Sequence, residues 1–346
     1  MTNQNNKRGL VANAHRTLDA KLARIRDGAY RPTDFIIADA KDGDMGGGAG
    51  SPGPVRDAAG RPGDVMLTAA DYRRGMADMI AGGDVDIMLT SVAAAETLAA
   101  SGAYDGSAVT PAVRLNDTTD IWGYRGASYR SEPALPFRTA RIDRARALCD
   151  LGLYAVTFYN DRDIDVVTLD EYAAFRDEAE AHGMRHFLEV FNPAFPIDTG
   201  DADLPTYIND CITRCLAGVA SADRPIFLKI QYNGARAMDE LAAYDPGNLV
   251  VGILGGGAGT TRDTFELVRQ AETHGARVAL FGRKIHQTED PLEIVKYMRR
   301  VVEGELAPSD AVAAYHDHLA KAGLTPWRPL DKDNTVTDPV LVDEAS

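Results

Sequence analysis

The sequence has few cysteines and no long apolar run, and both absences limit the kind of protein it encodes. Its 346 residues include only three cysteines, Cys149, Cys211 and Cys215, which fit no disulfide framework and which we interpret as packing residues. No apolar stretch approaches the roughly 20 residues of a membrane span. The polar N-terminal segment lacks the apolar core of a secretion signal, so we expect a cytoplasmic protein with no membrane partner.

Positive charge is also scarce. Lysine and arginine total 37 against 51 acidic residues, a net charge of −14, which argues against nucleic acid and anionic membranes as partners. Any anionic substrate must therefore be held by local donors. Histidine and cysteine do not occur at metal-ligand spacing, since His316 and His318 have the wrong offset for one helical face. We predict neither a metal site nor a cofactor.

One structural unit recurs along the chain: a short apolar run, a loop and an amphipathic segment of helix length. The apolar runs lie at residues 35–39, 85–89, 112–116, 155–159, 186–191, 224–231, 249–254 and 277–281. Helices are expected between them, including one at 141–151, and after them at 291–302 and 309–322. Eight such units with short connections predict an α/β fold, a closed parallel (β/α)8 TIM barrel with right-handed crossovers.

This pattern divides the chain into an N-terminal arm and helix at 1–33, the barrel at 34–304, and a C-terminal helix and acidic tail at 305–346. A Gly/Pro-rich stretch at 41–64 follows the first strand, which is typical of a mobile lid or a disordered insertion. An irregular stretch with Trp122 and Tyr124 follows the third strand. We expect the tail after Trp327 to be poorly ordered or to wrap around a neighbouring chain.

A lysine interrupts the sixth apolar run. Strand alternation places Phe227, Lys229 and Gln231 on one face, so the ammonium of Lys229 enters the same interior as Phe227. An unpaired buried charge is costly, and a lysine in such a place tends to lose its proton and become nucleophilic. The alternative is a lysine at the strand end that is paired with a carboxylate.

Catalytic groups of a (β/α)8 barrel lie at the C-terminal ends of its strands. The polar residues at these ends include Asp39, Asn116, Thr157, Tyr159, Glu189, Lys229 and Gln231. Glu189 shares a face with Phe187 and Phe191, and Asp39 shares a face with Ile37, so we expect both carboxylates to point inward with Lys229. A lysine with two acids in one barrel mouth is typical of a catalytic site.

Glycines follow the seventh and eighth strands, as Gly255, Gly256 and Gly257 and as Gly282 before Arg283. Backbone N–H groups and a guanidinium at this position predict a phosphate site. A dinucleotide fingerprint is the first alternative, but Thr260 occupies the place of its last glycine and the motif lies late in the chain. Glycines that serve only tight turns are the second.

From about 34 to 302 the sequence resembles the class I, Schiff-base-forming aldolases, which include archaeal-type fructose-bisphosphate, tagatose-bisphosphate and deoxyribose-phosphate aldolases. The residues that carry the resemblance are Phe187-Leu188-Glu189, Phe227-Leu228-Lys229, the glycine run at 255–257, Phe281 to Gln287, and Asp290-Pro291. The resemblance implies an aldolase-type lyase of carbohydrate metabolism that acts on a phosphorylated ketose, and it favours a homo-oligomer.

The resemblance also implies roles for individual residues. Lys229 becomes the Schiff-base lysine, Glu189 a proton-transfer residue, and Asp39 the group that orients the carbinolamine or the substrate hydroxyls. The substrate phosphate is assigned to Gly255, Gly256, Gly282 and Arg283, and the other expected substrate-binding residues are Gly257, Asn116 and Gln231.

Two positions depart from the family pattern. Phe191 occupies the place of the proton-transferring tyrosine of the archaeal fructose-bisphosphate aldolases, and Thr157 that of a lysine in the tagatose-bisphosphate branch. Tyr159, on the same strand face as Thr157, is a second candidate for proton transfer. Two other functions stay open: a non-catalytic barrel that binds a sugar phosphate, and a thiolase-like carbon–carbon enzyme that uses the same lysine.

Overall fold

The computed structural model describes residues 16–57, 59–117 and 128–342, and these form a closed barrel of eight parallel strands. The barrel strands are β1 (Ile36–Lys41), β4 (Ile87–Thr90), β5 (Thr110–Arg114), β6 (Leu151–Thr157), β7 (Arg185–Phe191), β8 (Leu228–Ile230), β9 (Gly252–Leu254) and β10 (Val278–Phe281). Neighbours along the chain pair in parallel, and β1 also pairs with β10, which closes the barrel. The predicted fold class is confirmed.

Helices connect and extend this barrel. They are α1 (Thr17–Arg26), α2 (Gly43–Gly47), α3 (Ala69–Gly82), α4 (Val92–Ala100), α5 (Ile142–Ala145), α6 (Arg162–Ala181), α7 (Leu204–Ala217), α8 (Ala235–Tyr244), α9 (Thr261–Thr273), α10 (Arg283–His286), α11 (Pro291–Val302), α12 (Pro308–Ala322) and α13 (Leu330–Asp333). Several begin where a short polar side chain accepts a hydrogen bond from the first turn, as Thr68, Ser91, Asp161, Asp203, Thr260 and Asp290 do. No helix in the described part of the chain is long and apolar enough to cross a membrane.

Two apolar cores flank the barrel wall. The inner core fills the barrel with alternate strand residues such as Ala38, Leu153 and Phe187, and Leu18 and Leu22 of α1 pack into the same core. The outer core joins the other strand faces to the surrounding helices. Because α1 occupies the N-terminal end of the barrel, the opposite end is the one that remains for a site.

The fourth strand begins earlier than the sequence pattern predicts. The helix expected at 141–151 shrinks to α5, and β6 starts at Leu151 rather than at 155. The reason is pairing, since Leu151–Thr157 lies in register with all of β7. Gly152 permits this fit, because a Cβ there would approach Leu115 Cδ1 to 2.1 Å.

The Gly/Pro-rich stretch at 41–64 has regular structure where it is described, so of its two predicted forms, a mobile lid or a disordered insertion, the second is wrong. It forms α2, a 3₁₀ turn at Gly48–Gly50 and a hairpin of β2 (Pro54–Arg56) with β3 (Pro62–Met66). Two side chains anchor it: the guanidinium of Arg56 stacks 3.7 Å from the Trp327 ring centroid, and His286 Nε2 lies 2.8 Å from the Pro52 carbonyl.

The tail also packs on its own chain, through residue 342, so its expected disorder is wrong over the described residues. Asp263 accepts hydrogen bonds from the backbone N–H and hydroxyl of Thr337, at 2.7 and 2.5 Å, and Asp333 accepts one from the Thr261 N–H at 2.9 Å. These buried carboxylates satisfy backbone donors that a free tail would leave to water. Trp122 and Tyr124 lie outside the described residues.

Candidate active site

A cavity of about 230 Å³ opens at the C-terminal ends of the barrel strands. Its charged lining residues are Asp42, Arg114, Glu189, Lys229 and Arg283. The segment after β1 supplies one wall, made of Gly43, Gly46, Gly47, Gly50, Ser51, Gly53, Pro54 and Met66. The insertion therefore forms part of the cavity itself.

Lys229 and Glu189 face each other across the β7–β8 pair. They are register partners, and Lys229 Nζ lies 2.6 Å from Glu189 Oε1. Both side chains are almost fully buried, above Phe187 and Phe227, whose rings stack 4.7 Å apart inside the barrel. The expected inward orientation of both residues is confirmed. The two alternatives for Lys229, a lysine in the barrel interior and a lysine paired with a carboxylate, both apply, because Lys229 pairs with Glu189 and also lines the cavity.

Two further residues complete a buried cluster. Arg114 contacts Asp42 Oδ2 through Nε at 2.5 Å and Glu189 Oε2 through Nη2 at 3.0 Å. Neither Arg114 nor Asp42 was predicted as a site residue. One signal pointed to Arg114, since it interrupts an apolar strand just as Lys229 does. Asp42 carries no comparable signal, because it follows the end of β1.

The cluster shifts the pKa values of Glu189 and Asp42 in opposite directions. Burial raises the pKa of Glu189, although the charges of Lys229 and Arg114 act in the opposite direction. Burial acts in the same sense on Asp42, but Arg114 and Lys229 outweigh it and hold the pKa of Asp42 below its usual range. Burial acts to lower the pKa of Arg114, and the neighbouring carboxylates outweigh it and raise that pKa. Glu189 is therefore the better proton acceptor.

The glycine motifs line the side of the cavity beside β9 and β10. Gly255, Gly256, Gly282 and Arg283 all border it, whereas Gly257 is exposed and does not. A Cβ at Gly282 would come within 2.6 Å of the Ala40 carbonyl oxygen, so this position requires glycine for close approach to β1. Within the described chain Arg283 makes no ion pair, which leaves its guanidinium available to an anion.

Asp39 points the other way, and its expected inward orientation is wrong. It lies on the face of Ile37, in the outer core, while Ala38 and Ala40 occupy the inner core. Its carboxylate pairs with Lys41 Nζ at 2.7 and 3.0 Å. The acid at this end of β1 that lines the cavity is instead Asp42, which follows the last residue of the strand.

Three other predicted residues do not line the cavity. The amide of Asn116 is used by the backbone of Ala155, with contacts of 2.6 and 2.8 Å, and Gln231 is exposed. The Tyr159 hydroxyl accepts a hydrogen bond from the Ala134 N–H at 3.0 Å. Phe191 does line the cavity, whereas Thr157 is buried outside it.

The histidines of α12 have separate partners. His316 contacts Asp333 at 2.9 Å and His318 contacts Asp290 at 3.0 Å. Over residues 16–57, 59–117 and 128–342, no group of three or more His, Cys, Asp or Glu side chains has the arrangement of a metal site.

No family model and no curated protein matches this sequence, but solved structures share its fold. A Schiff-base-forming fructose-1,6-bisphosphate aldolase studied through its reaction intermediates is 18% identical, with a TM-score of 0.58 over 82% of this chain and 99% of that one. An archaeal fructose-1,6-bisphosphate aldolase with its catalytic lysine bound to the carbinolamine intermediate is 17% identical, with a TM-score of 0.57 over 83% and 99%. A fructose-bisphosphate aldolase from Slackia heliotrinireducens is 15% identical, with a TM-score of 0.60 over 87% and 90%. The chain thus has the (β/α)8 fold of the Schiff-base-forming fructose-bisphosphate aldolases.

Proposed function

We propose that the protein is a class I aldolase-type lyase, which cleaves or forms a carbon–carbon bond in a phosphorylated ketose through a Schiff base on Lys229. The observation that carries the proposal is the 2.6 Å contact between the buried Lys229 Nζ and Glu189 Oε1 at the base of the cavity. The fold shared with Schiff-base-forming aldolases adds support.

Schiff-base formation needs a proton acceptor beside the amine. In the proposed reaction the Lys229 ammonium passes one proton to Glu189, and the free amine attacks the ketone carbonyl to give a carbinolamine. Glu189 then returns the proton to the carbinolamine hydroxyl, which leaves as water, and the iminium forms. Burial favours the first transfer because it raises the pKa of Glu189.

Cleavage then uses the iminium as an electron sink. A base removes the proton from the hydroxyl on the far carbon of the bond that breaks, that carbon departs as an aldehyde, and the electron pair of the broken bond moves into an enamine. The enamine takes a proton at carbon, and water hydrolyses the resulting iminium to release the ketone and restore the amine. Glu189 is the base that the distances favour, because the Tyr159 hydroxyl is engaged with Ala134 outside the cavity.

A phosphate on the donor would lie beside β9 and β10. Arg283 supplies a guanidinium without an ion-pair partner in the described chain, and Gly255, Gly256 and Gly282 bring backbone close to the same part of the cavity. Anchoring one end of the donor there would hold its carbonyl near Lys229 and reduce the entropic cost of the attack.

Borohydride trapping tests this function. Full-length protein is incubated with dihydroxyacetone phosphate, fructose 1,6-bisphosphate or unphosphorylated dihydroxyacetone plus sodium borohydride, and peptides are mapped by mass. We expect the reduced substrate mass on the peptide containing Lys229, no adduct in Lys229→Met, and an unchanged adduct in the control Lys296→Met, which alters an exposed lysine on α11. An adduct confined to another buried lysine, such as Lys284 on α10, or no adduct with any carbonyl donor, contradicts the proposal.

A second candidate is a barrel that binds a sugar phosphate without turning it over. Phe191 favours it, since this cavity residue has no hydroxyl to transfer a proton. That candidate predicts binding of dihydroxyacetone phosphate by calorimetry, sensitive to Arg283→Gln, with no borohydride adduct on Lys229.

A further inference from the structure

A second and larger cavity, of about 530 Å³, lies at the other end of the barrel. Residues of α6, of the segment leading into β8 and of the loop after α8 form its walls. Four of its lining residues are arginines, namely Arg26, Arg176, Arg185 and Arg224. This concentration is unusual in a chain whose net charge is −14.

The cavity is separate from the candidate active site. His186 lines it and precedes Glu189 by three positions in β7, a strand distance of roughly 10 Å. Pro225 lines it too, four positions before Lys229. The stacked rings of Phe187 and Phe227 fill the barrel between the two ends. A ligand in this cavity would not contact Lys229.

Arg185 has an ordinary structural role. It contacts Asp19 at 2.6 Å and Asp150 at 3.0 Å, distances typical of charge-assisted hydrogen bonds. Its charge is therefore compensated within the protein.

The other three arginines are held much more weakly. Arg176 Nη1 lies 3.8 Å from Asp223, and Arg224 Nη1 lies 3.4 Å from Asp245, both beyond the usual length of such a bond. Among the described residues, Arg26 donates one hydrogen bond, to the backbone carbonyl of Ile226 at 2.9 Å.

The guanidiniums of Arg26, Arg176 and Arg224 have N–H donors that could bind a ligand. Each carries five N–H groups, and Arg176 Nε is buried with no hydrogen-bond partner among the residues that the structure describes. The acidic residues in the lining are Glu180 and Asp223, so its arginines outnumber its carboxylates. Met184 and Ile226 add apolar surface beside them. The lining thus combines unsatisfied cationic donors with an apolar patch.

We propose that this cavity binds a small multivalent oxyanion, of the phosphate-ester or pyrophosphate class, through Arg26, Arg176 and Arg224. Planar guanidiniums match phosphate oxygens in pairs. The volume lies in the range of small-molecule sites, so the ligand can include an organic part beside its charged group.

Calorimetric titration of full-length Arg283→Gln with pyrophosphate, at constant ionic strength, tests this site without the phosphate contact of the active site. We expect saturable binding at one site per chain. Adding Arg176→Gln and Arg224→Gln should weaken it by at least about tenfold, because two charge-assisted contacts are lost. Adding Arg162→Gln, which alters an arginine 88% exposed on α6, should leave it unchanged.

A single substitution tests the site even if the variant with both Arg176→Gln and Arg224→Gln does not fold. Arg26 is exposed and makes no ion pair in the described chain, so Arg26→Gln should fold and still weaken binding about threefold or more. The proposal is overturned if Arg283→Gln does not bind pyrophosphate, or if its binding is unchanged by Arg26→Gln. Borohydride trapping at Lys229 tests the proposed catalytic function independently of either outcome.

Discussion

Arg114 Nη2 lies 3.0 Å from Glu189 Oε2, and this contact leaves the other carboxylate oxygen of Glu189 facing Lys229. The same guanidinium holds Asp42 at 2.5 Å. Lys229, Arg114, Glu189 and Asp42 thus share one buried cluster, and the buried carboxylate of Asp117 lies 4.0 Å from Arg114 Nη1 at its edge. We propose that Arg114 is a positioning residue, because its contact holds Glu189 where the proposed proton transfer occurs.

Replacing Arg114 with methionine should remove this support. Asp42 and Glu189 would be left buried without their shared partner, so we expect Arg114→Met to lower the free energy of unfolding by about 3–5 kcal/mol. Urea unfolding measures this loss. Arg114→Lys keeps the charge but not the bidentate geometry, so its free energy of unfolding should lie between those of the wild type and Arg114→Met. Wild-type stability in Arg114→Met would show that the cluster does not stabilise the fold.

Glu189→Gln should slow Schiff-base formation by about 10²–10⁴-fold, since the amide has the same size but cannot accept the proton. The rate of borohydride trapping at Lys229 measures it. Because burial raises the pKa of Glu189, its ionised form is lost as pH falls through a value above that of an ordinary glutamate. The trapping rate of the wild type should therefore decline as pH falls through the raised pKa of Glu189, and the rate of Glu189→Gln should not show this decline. An unchanged trapping rate in Glu189→Gln would assign the proton transfer to another group.

Gly282→Ala should weaken phosphate binding about tenfold, as expected for the loss of one charge-assisted hydrogen bond. The added Cβ would meet the Ala40 carbonyl at 2.6 Å, so the backbone beside Arg283 must shift. Gly257→Ala is the matched control, because a Cβ there meets nothing within 4 Å and the residue does not line the cavity. Titration with inorganic phosphate compares the two, and equal affinities would place the anion elsewhere.

Asp86 should govern acid stability. It accepts hydrogen bonds from Thr17 at 2.6 Å and from the Ile37 N–H at 2.9 Å, and it pairs with Lys21 at 2.8 Å and Arg299 at 2.9 Å. Burial acts to raise its pKa, but Arg299 and Lys21 outweigh it and hold the pKa below the ordinary 3.8. Its contribution is therefore full above about pH 4 and is lost as pH falls through the lowered value.

Asp86→Asn should accordingly cost about 3–5 kcal/mol at neutral pH, and less of that difference should remain at acid pH. Thermal or urea unfolding followed from pH 7 to pH 3 measures it. Asp163→Asn, at an exposed position of α6, is the control and should follow the wild type. Parallel curves for wild type and Asp86→Asn over the whole range would contradict this role.

Orientation inside the barrel was predictable for some strands and not for others. For β7 and β8 the alternation correctly placed Glu189 and Lys229 with Phe187 and Phe227, whose bulk fills the barrel. For β1 the same reasoning failed with Asp39. Every residue of β1 is buried, including Asp39 and Lys41 on the outer face, so neither face has the exposed polar side chains that would distinguish the barrel interior from the helix layer.

The partners of Lys229 were only partly predictable. Glu189 was predicted from its place near the C-terminal end of the fifth apolar run and from the strand alternation that it shares with Phe187. Asp42 lies 187 positions before Lys229 and comes close to it only when the barrel closes. The wall formed by the segment at 41–64 was missed for a related reason, since its order depends on contacts with distant residues such as Trp327 and His286.

The sequence by itself determined the repeating βα units, the strand that carries Lys229 and the glycines before Arg283, because local periodicity and turn chemistry specify them. Only the tertiary structure decided that Arg114 and Asp42, rather than Asp39, join Lys229 and Glu189. Barrel closure places strands that are distant in sequence side by side, and the direction in which each strand faces depends on that closure.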